Sequence, residues 1–251
     1  MGECDEITVT CKFMQQYYIE KTGNKNITVI PNYPPKFWMG NHYSEEKVNK
    51  NFNTTRKKPR IIYAASGAHF DVENRVKQRD DFFHVNQAVI QTIDKYQWVF
   101  LGAYPLSLHS LVMQGKIEFH EWKRLYEYPE LLSSLNGNMF IAPLQDNNFN
   151  KAKSDLKYIE ACCYGLPIAC QDLCTYEAAP LKFKTGDEML DNIDYALKDE
   201  DRYMKLSKEA RAVADKRWLE LDQNLDKYVE LYKYPRLHSE RKNINSLAEN
   251  Q

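Results

Sequence analysis

The run Asn150-Lys151-Ala152-Lys153-Ser154-Asp155-Leu156-Lys157-Tyr158-Ile159-Glu160 gathers the side chains best suited to chemistry. It follows an apolar, strand-like stretch, Met139 to Ala142, and a polar loop, Pro143 to Phe149, and it enters an amphipathic helix expected over residues 152–164. At about 100° per residue with Lys153 as zero, Lys157 falls near about 40°, Glu160 near about −20° and Asn150, if already helical, near about 60°. These four share a face, while Leu156, Ile159 and Cys163 point elsewhere and would dock on a sheet. Two lysines in the first turns of a helix oppose its macrodipole, which favours acids there. A bound polyanion removes that conflict: Ser154 adds a hydroxyl, free N–H groups complete a phosphate cradle, and Glu160 can accept hydrogen bonds from ribose hydroxyls. A solvated helix face carrying a Lys157–Glu160 surface pair explains the same spacing. Spacing alone leaves both readings open.

The elements that must position this face alternate from residue 60 onward. Strands are expected at 60–65, 98–101, 116–119, 139–142 and 167–170, and helices at about 76–95, 124–135, 152–164, 187–198, 201–217 and 219–232. In the first of these helices Phe82, Val85, Val89 and Ile93 form one apolar stripe. Alternating strands and helices predict an α/β fold, a Rossmann-like parallel sheet flanked by helices. Ligands of such sheets sit beyond the carboxyl ends of the strands, which directs attention to Ser66-Gly67-Ala68-His69, Gly102-Ala103-Tyr104-Pro105, Glu121-Trp122 and the loop after Ala142. Residues 1–32 read as a separate strand, helix and strand, 33–58 as a linker that partly packs, 59–234 as the main domain and 235–251 as a polar tail.

Composition excludes several classes. The 251 residues are 43% hydrophobic and 27% charged, an ordinary globular mix, so a wholly disordered or fibrous chain is ruled out. A net charge of −1 offers no bulk polycation for nucleic acid or an anionic membrane, so an anion site must be local. The run Arg56-Lys57-Lys58 with Arg60 reads as a linker charge cluster rather than a nucleic-acid contact. No stretch approaches the roughly 18 apolar residues of a membrane span, and the acidic start is unlike a signal peptide, so a cytoplasmic protein is expected. The six cysteines show no paired CxxC clusters and are expected to be buried thiols. Sequons at Asn26 and Asn53 carry no weight without export.

Ile27-Thr28-Val29-Ile30-Pro31-Asn32, Arg60-Ile61-Ile62-Tyr63, Phe140-Ile141-Ala142-Pro143-Leu144, Lys153 through Ala161, and Tyr164-Gly165-Leu166-Pro167-Ile168-Ala169 occur in an order that resembles the nucleotide-sugar-binding half of GT-B glycosyltransferases. The likeness is greatest to the retaining family 4 and to polysaccharide-biosynthesis relatives with a Lys-Ser motif, and it covers about residues 5 to 233. It implies that Ser66, Gly67, Arg75, Lys153, Ser154 and Lys157 lie near the diphosphate of a nucleoside-diphosphate sugar. By the same resemblance Glu160 takes the ribose, Glu121 and Trp122 lie beside the base, and His69 and Asn150 are candidates on the sugar side. For Arg75 and His69 a solvent-facing charge and a loop filler are equally good readings.

The resemblance further implies a hexosyl-type transferase, retaining and metal-independent, that needs no cofactor beyond its donor substrate and passes the sugar to a hydroxyl acceptor. It assigns no catalytic residue. Two departures stand out. The family places a second acid eight residues before the ribose glutamate, where this chain has Ala152, with Asp146 or Asp155 as possible substitutes. The acceptor domain is almost absent, residues 5–32 resembling only its last strand, helix and strand. Ile7, Val9, Phe13, Met14, Tyr17, Val29 and Ile30 would then lack a core, which predicts either a missing acceptor half or self-association through this region. A non-catalytic nucleotide-sugar-binding module is the alternative, and a sugar-nucleotide epimerase of the same fold a more distant one.

Overall fold

A computed structural model describes residues 6–70 and 80–233. The chain opens with β1 (Ile7–Val9), α1 (Lys12–Thr22) and β2 (Ile27–Val29), the two strands pairing in parallel as a small sheet of their own. Next come α2 (Lys36–Met39), α3 (Glu45–Thr54), β3 (Arg60–Ala65), α4 (Asn86–Gln91), β4 (Gln97–Gly102), α5 (His109–Met113) and β5 (Glu118–Glu121). The second half holds α6 (Tyr128–Ser134), β6 (Met139–Ala142), α7 (Asn148–Lys151), α8 (Leu156–Cys163), β7 (Ile168–Gln171) and β8 (Leu181–Phe183). It closes with α9 (Gly186–Leu197), α10 (Glu200–Ala214) and α11 (Asp222–Lys233).

The main sheet has six parallel strands in the order β5-β4-β3-β6-β7-β8. Strand order reverses between β3 and β6, so the crevice beyond their carboxyl ends is the topological switch point where such sheets bind ligands. Strands covered on both faces are dominated by apolar residues, as the inner strands β4, β3, β6 and β7 are, whereas the edge strands β5 and β8 carry charged residues. Ile62, Ala64, Val99, Leu101, Phe140 and Ala142 face the layer built from α6, α8 and α10. Ile61, Tyr63, Trp98, Phe100, Met139 and Ile141 face the layer that includes α4 and α9. With both faces filled, polar chemistry is confined to the strand ends. At one of them Gly102 takes φ 95°, and a Cβ there would sit 2.6 Å from the Ala65 carbonyl oxygen and 2.8 Å from the Trp122 ring. Only glycine lets the loops after β3, β4 and β5 approach so closely.

The departures from sequence expectation have local causes. Residues 33–58, read as a partly packing linker, contain α3: Ser44 Oγ accepts from the Lys47 N–H at 3.1 Å, Glu45 and Glu46 occupy the first turn, and Val48 and Phe52 pack on Tyr203. The helix expected over 76–95 is a 3-10 turn at Phe83–Val85 followed by α4, its first residues lying outside those described. Asp80 bonds the Phe82 N–H at 2.9 Å and Thr92 Oγ1 donates to the Ala88 carbonyl at 2.6 Å, local side-chain bonds that compete with continued helix. Strand β5 begins two residues later than expected, and the three-residue β8 is too short for its alternation to register. In the N-terminal unit Val9 and Ile30 are buried, Ile7, Phe13, Met14 and Val29 are half-buried, and Tyr17 is exposed. Helix α1 has no fully buried residue. The cysteine expectation needs correction: Cys162, Cys163 and Cys170 are buried, but Cys11 is half-buried and Cys174 exposed. Cys4 and the tail from 235 lie outside the described residues.

Phe52 stacks on Tyr203 with ring centroids 4.6 Å apart, which makes α3 part of the folded unit. Phe52→Ala is expected to destabilise the protein by about 3–5 kcal/mol in equilibrium urea unfolding, whereas a loosely attached segment would register almost no change.

Candidate functional site

The decisive local event is a break in the helix expected over 152–164. Helix α7 ends at Lys151 and α8 starts at Leu156, so Lys153 precedes the helix that carries Lys157 and Glu160, and the single continuous wheel is incorrect. The intervening turn is held from outside. Arg217 donates to both Asp155 carboxylate oxygens, at 2.5 and 3.1 Å, and Asn32 Nδ2 donates to Ser154 Oγ at 2.7 Å. Ser154 therefore faces the N-terminal unit.

Asp81 organises the switch-point crevice. One carboxylate oxygen accepts from the Gln145 N–H at 3.0 Å and from Asn150 Nδ2 at 2.5 Å; the other meets His69 Nδ1 at 2.8 Å and Lys153 Nζ at 3.2 Å. Burial favours its neutral form, but the bonds from His69 and Gln145, the charge of Lys153 and the Asn150 amide outweigh that and bring the carboxyl down to about 2. His69 is pushed below the usual histidine value by burial and by the two lysines, against the pull of Asp81. Lys153 also lies over the Phe149 ring, 5.0 Å from its centroid.

Lys157 is the anomaly. Its ammonium is buried with no hydrogen-bond partner and rests 4.7 Å from the Tyr63 ring centroid. Burial, reinforced by Lys153, lowers it to about 8 against the attraction of Asp81 and Glu160. Burial likewise raises the Glu160 carboxyl to about 7, Lys157 and the Tyr128 hydroxyl opposing. Tyr128 donates to Glu160 Oε2 at 3.4 Å, and its ring lies 5.7 Å from that of Trp122, which is exposed beside Glu121. The surface pair considered from the sequence is thus replaced by two buried groups that interact without direct contact.

A cavity of about 1230 Å³ opens over the ends of β3, β6, β7 and β8. Lys153 and Asn150 line it, as do Asp81, Gln145, His84 and Gln171, which the sequence reading did not single out. His84 Nε2 and Gln171 Oε1 are 2.7 Å apart. A pair of acids directly before the aromatic pair Phe82-Phe83 was the available signal for Asp81. Asn147 caps α7, its Oδ1 accepting from the Asn150 N–H at 2.8 Å, and the Asn150 Oδ1 is buried without a partner. Ser66 and Gly67 are exposed, just before Ala68, which lines the cavity, and a Cβ on Gly67 would meet nothing within 4 Å. Glu121 and Trp122 stand apart from the cavity, and Tyr128, Lys157 and Glu160 are not among its lining residues either. Arg75 lies outside the described residues. Asp146 pairs with Lys151 at 2.6 Å and lines the cavity; Asp155 is taken by Arg217. Arg60 sits at the opposite end of the sheet, bonded to Glu118 at 2.7 Å and to the Leu135 carbonyl at 2.6 Å. Among the described residues no group of three or more metal-ligating side chains comes together, and no helix is long and apolar enough to cross a membrane.

No family model and no curated protein matches the sequence. Solved structures do. HepE from Anabaena, in complex with UDP and glucose, superposes with a TM-score of 0.64 at 12% identity, over 90% of this chain and 63% of that one. A glycosyltransferase from Rickettsia africae gives 0.65 at 14% identity, over 91% and 62%. The fold is of the GT-B glycosyltransferase type. Sucrose-phosphate synthase from Thermosynechococcus elongatus gives 0.64 at 15% identity, over 92% and 58%, so the chain spans about three fifths of the length of these GT-B structures.

The depressed Asp81 carboxyl has a stability consequence. Its contribution is complete above the ordinary carboxylate value of 3.8 and is lost as pH falls through about 2. At roughly 1.4 kcal/mol per unit it is worth about 2 kcal/mol. Asp81→Asn should lower stability at neutral pH by about that amount and flatten the pH dependence between about 4 and 2, measured by urea titrations across that range.

Proposed function

We propose that this chain is the donor-binding part of a glycosyltransferase, holding a nucleoside-diphosphate sugar at the β3/β6 switch point for transfer to a hydroxyl acceptor. The observation that carries the reading is Lys157, a buried ammonium lacking a partner beside a carboxylate-neutralised Lys153. An isolated buried charge is costly and persists where a ligand completes it. In this reading the diphosphate takes Lys153 from Asp81 and gives Lys157 its counter-charge, with the exposed backbone at Ser66 and Gly67 and the Ser154 hydroxyl as further donors. Glu160 receives the ribose hydroxyls. The base lies toward Trp122 and Glu121, and the sugar toward His69 and Asn150. Cationic and N–H groups then stabilise the departing nucleoside diphosphate while the acceptor hydroxyl attacks the anomeric carbon. This account uses lysines where other transferases use a divalent ion, and it is written for a retaining, hexosyl-type transfer.

The acceptor half is supplied in this proposal by another part of a longer polypeptide, by a partner chain, or by a second copy meeting the β1–α1–β2 unit. The UDP and UDP-glucose bound by HepE make uridine nucleotides the first probes. The non-catalytic alternative has one observation in its favour. Ala152 stands where the family has an acid, and both nearby aspartates are engaged, Asp146 by Lys151 and Asp155 by Arg217. Transfer or slow hydrolysis of a nucleotide sugar separates the two.

A thermal-shift panel of UDP-, GDP-, ADP- and CMP-sugars tests the reading, since a ligand of the folded state raises the melting temperature by mass action. Lys157→Ala should abolish the shift; an undiminished shift moves the site elsewhere. Lys157→Met gives a sharper signature, because removing an unpaired buried charge should stabilise the unliganded protein by about 1–3 kcal/mol while eliminating binding. A lysine serving only the fold would lose stability instead.

Affinity should also depend on pH in a defined way. Bound diphosphate raises the Lys157 pKa from about 8, so binding takes up a proton and weakens as pH rises beyond that value. Ribose hydroxyls donate more strongly to Glu160 when it is ionised, so affinity grows as pH climbs through about 7. Calorimetric titration should place the maximum between these two values, and a flat profile would remove both groups from the binding site.

A further inference from the structure

Cys11 and Cys174 stand apart from the three buried cysteines and come from distant parts of the chain. Cys11 is the residue that precedes α1 in the N-terminal unit, and Cys174 opens the 3-10 turn that follows β7. Both thiols nevertheless point at one peptide carbonyl. Cys11 Sγ donates to the Lys151 oxygen at 3.7 Å and to the Ala152 oxygen at 3.6 Å, and Cys174 Sγ donates to the same Lys151 oxygen at 3.8 Å. The sulfurs are therefore separated by no more than the two contacts to the Lys151 oxygen laid end to end. Each sulfur is weakly held, a thiol being a poor hydrogen-bond donor, so little is lost by turning it. Cys174 is open to solvent; partial burial and the neighbouring Cys11 raise its thiol above the ordinary value, and the nearby Lys151 ammonium opposes that shift.

We propose that Cys11 and Cys174 are a thiol pair that closes to a reversible disulfide when exposed to a low-molecular-weight disulfide such as oxidised glutathione. The exposed Cys174 thiolate attacks one glutathione sulfur, forming a mixed disulfide and releasing one glutathione as thiolate. The Cys11 thiolate then attacks the Cys174 sulfur, forming the Cys11–Cys174 bond and releasing the second glutathione. Two protein thiols lose two electrons and two protons; one glutathione disulfide gains them and becomes two thiols. The new bond would fasten the β1–α1–β2 unit across the Lys151-Ala152 backbone, which leads directly into Lys153. In the reduced protein this joint includes the Asn32–Ser154 hydrogen bond and the Arg217 contact with the Asn32 carbonyl at 2.9 Å.

The test uses the full chain incubated with oxidised glutathione, then digested without reduction and mapped by mass spectrometry. The expected result is a peptide pair joining Cys11 to Cys174, loss of two titratable thiols, and recovery of both on adding dithiothreitol. Cys11→Ser should stop the reaction at a glutathione adduct on Cys174, and Cys174→Ser should leave no link at Cys11. Hydrogen exchange in residues 12–22 should slow on oxidation of the wild type and not of Cys11→Ser. A glutathione adduct persisting on Cys174 in the wild type, a link of either residue to Cys4, or unchanged exchange in oxidised protein would overturn the proposal. None of these readouts requires a nucleotide sugar, so failure here and failure of the donor-binding reading are distinguishable.

Discussion

The Asp81 carboxylate meets donors from His69 after β3, from the Gln145 backbone and Asn150 side chain after β6, and from Lys153 ahead of α8. A single buried anion thereby fixes the relative positions of the loops on either side of the switch point. Charge-assisted bonds of this kind are among the strongest noncovalent ties available to a loop. The tie also sets the electrostatics: it neutralises one of two neighbouring lysines and leaves the other, Lys157, without a partner. The unpaired cation and the elevated Glu160 carboxyl follow from how the edge is assembled, with α8 carrying both residues inward against the sheet.

The inner strands of the sheet were legible in the sequence because they are buried on both faces and so read as largely apolar runs between glycines and polar loops, unlike the charged edge strands β5 and β8. Arg60–Ala65 and Met139–Ala142 emerge with the expected boundaries. The candidate site was legible as a set of residue types on one stretch of chain, but its geometry was not. Helical periodicity assumes that a helix is governed by its own side chains; here Arg217 and Asn32, far away in sequence, seize Asp155 and Ser154 and delay the start of α8. Asp81 escaped for the same kind of reason. Its importance lies in partners from two other loops, none of which leaves a periodic trace. Helix α3 escaped because only Val48 and Phe52 of its ten residues are buried, too few for an apolar stripe to stand out among asparagines and lysines.

The likeness to HepE, the Rickettsia glycosyltransferase and sucrose-phosphate synthase rests on backbone shape at 12–15% identity, and shape of this kind is shared by proteins with different substrates. Function therefore has to be argued from the charges at the strand ends. The β1–α1–β2 unit forms no part of the main sheet. Among the described residues its two short strands pair only with each other, and its helix buries no residue completely, so the unit contributes little core of its own.

The aromatic path from solvent to Glu160 also equips the molecule with an optical reporter. Of its tryptophans, Trp98 is wholly enclosed and Trp38 nearly so, whereas Trp122 is 60% exposed and lies against Tyr128, whose hydroxyl bonds the Glu160 carboxylate. Red-edge emission from this indole samples the solvent at the outer end of that path, and quenchers reach it long before they reach the enclosed pair. Changes around that carboxylate can thus be followed by intrinsic fluorescence, with no label attached.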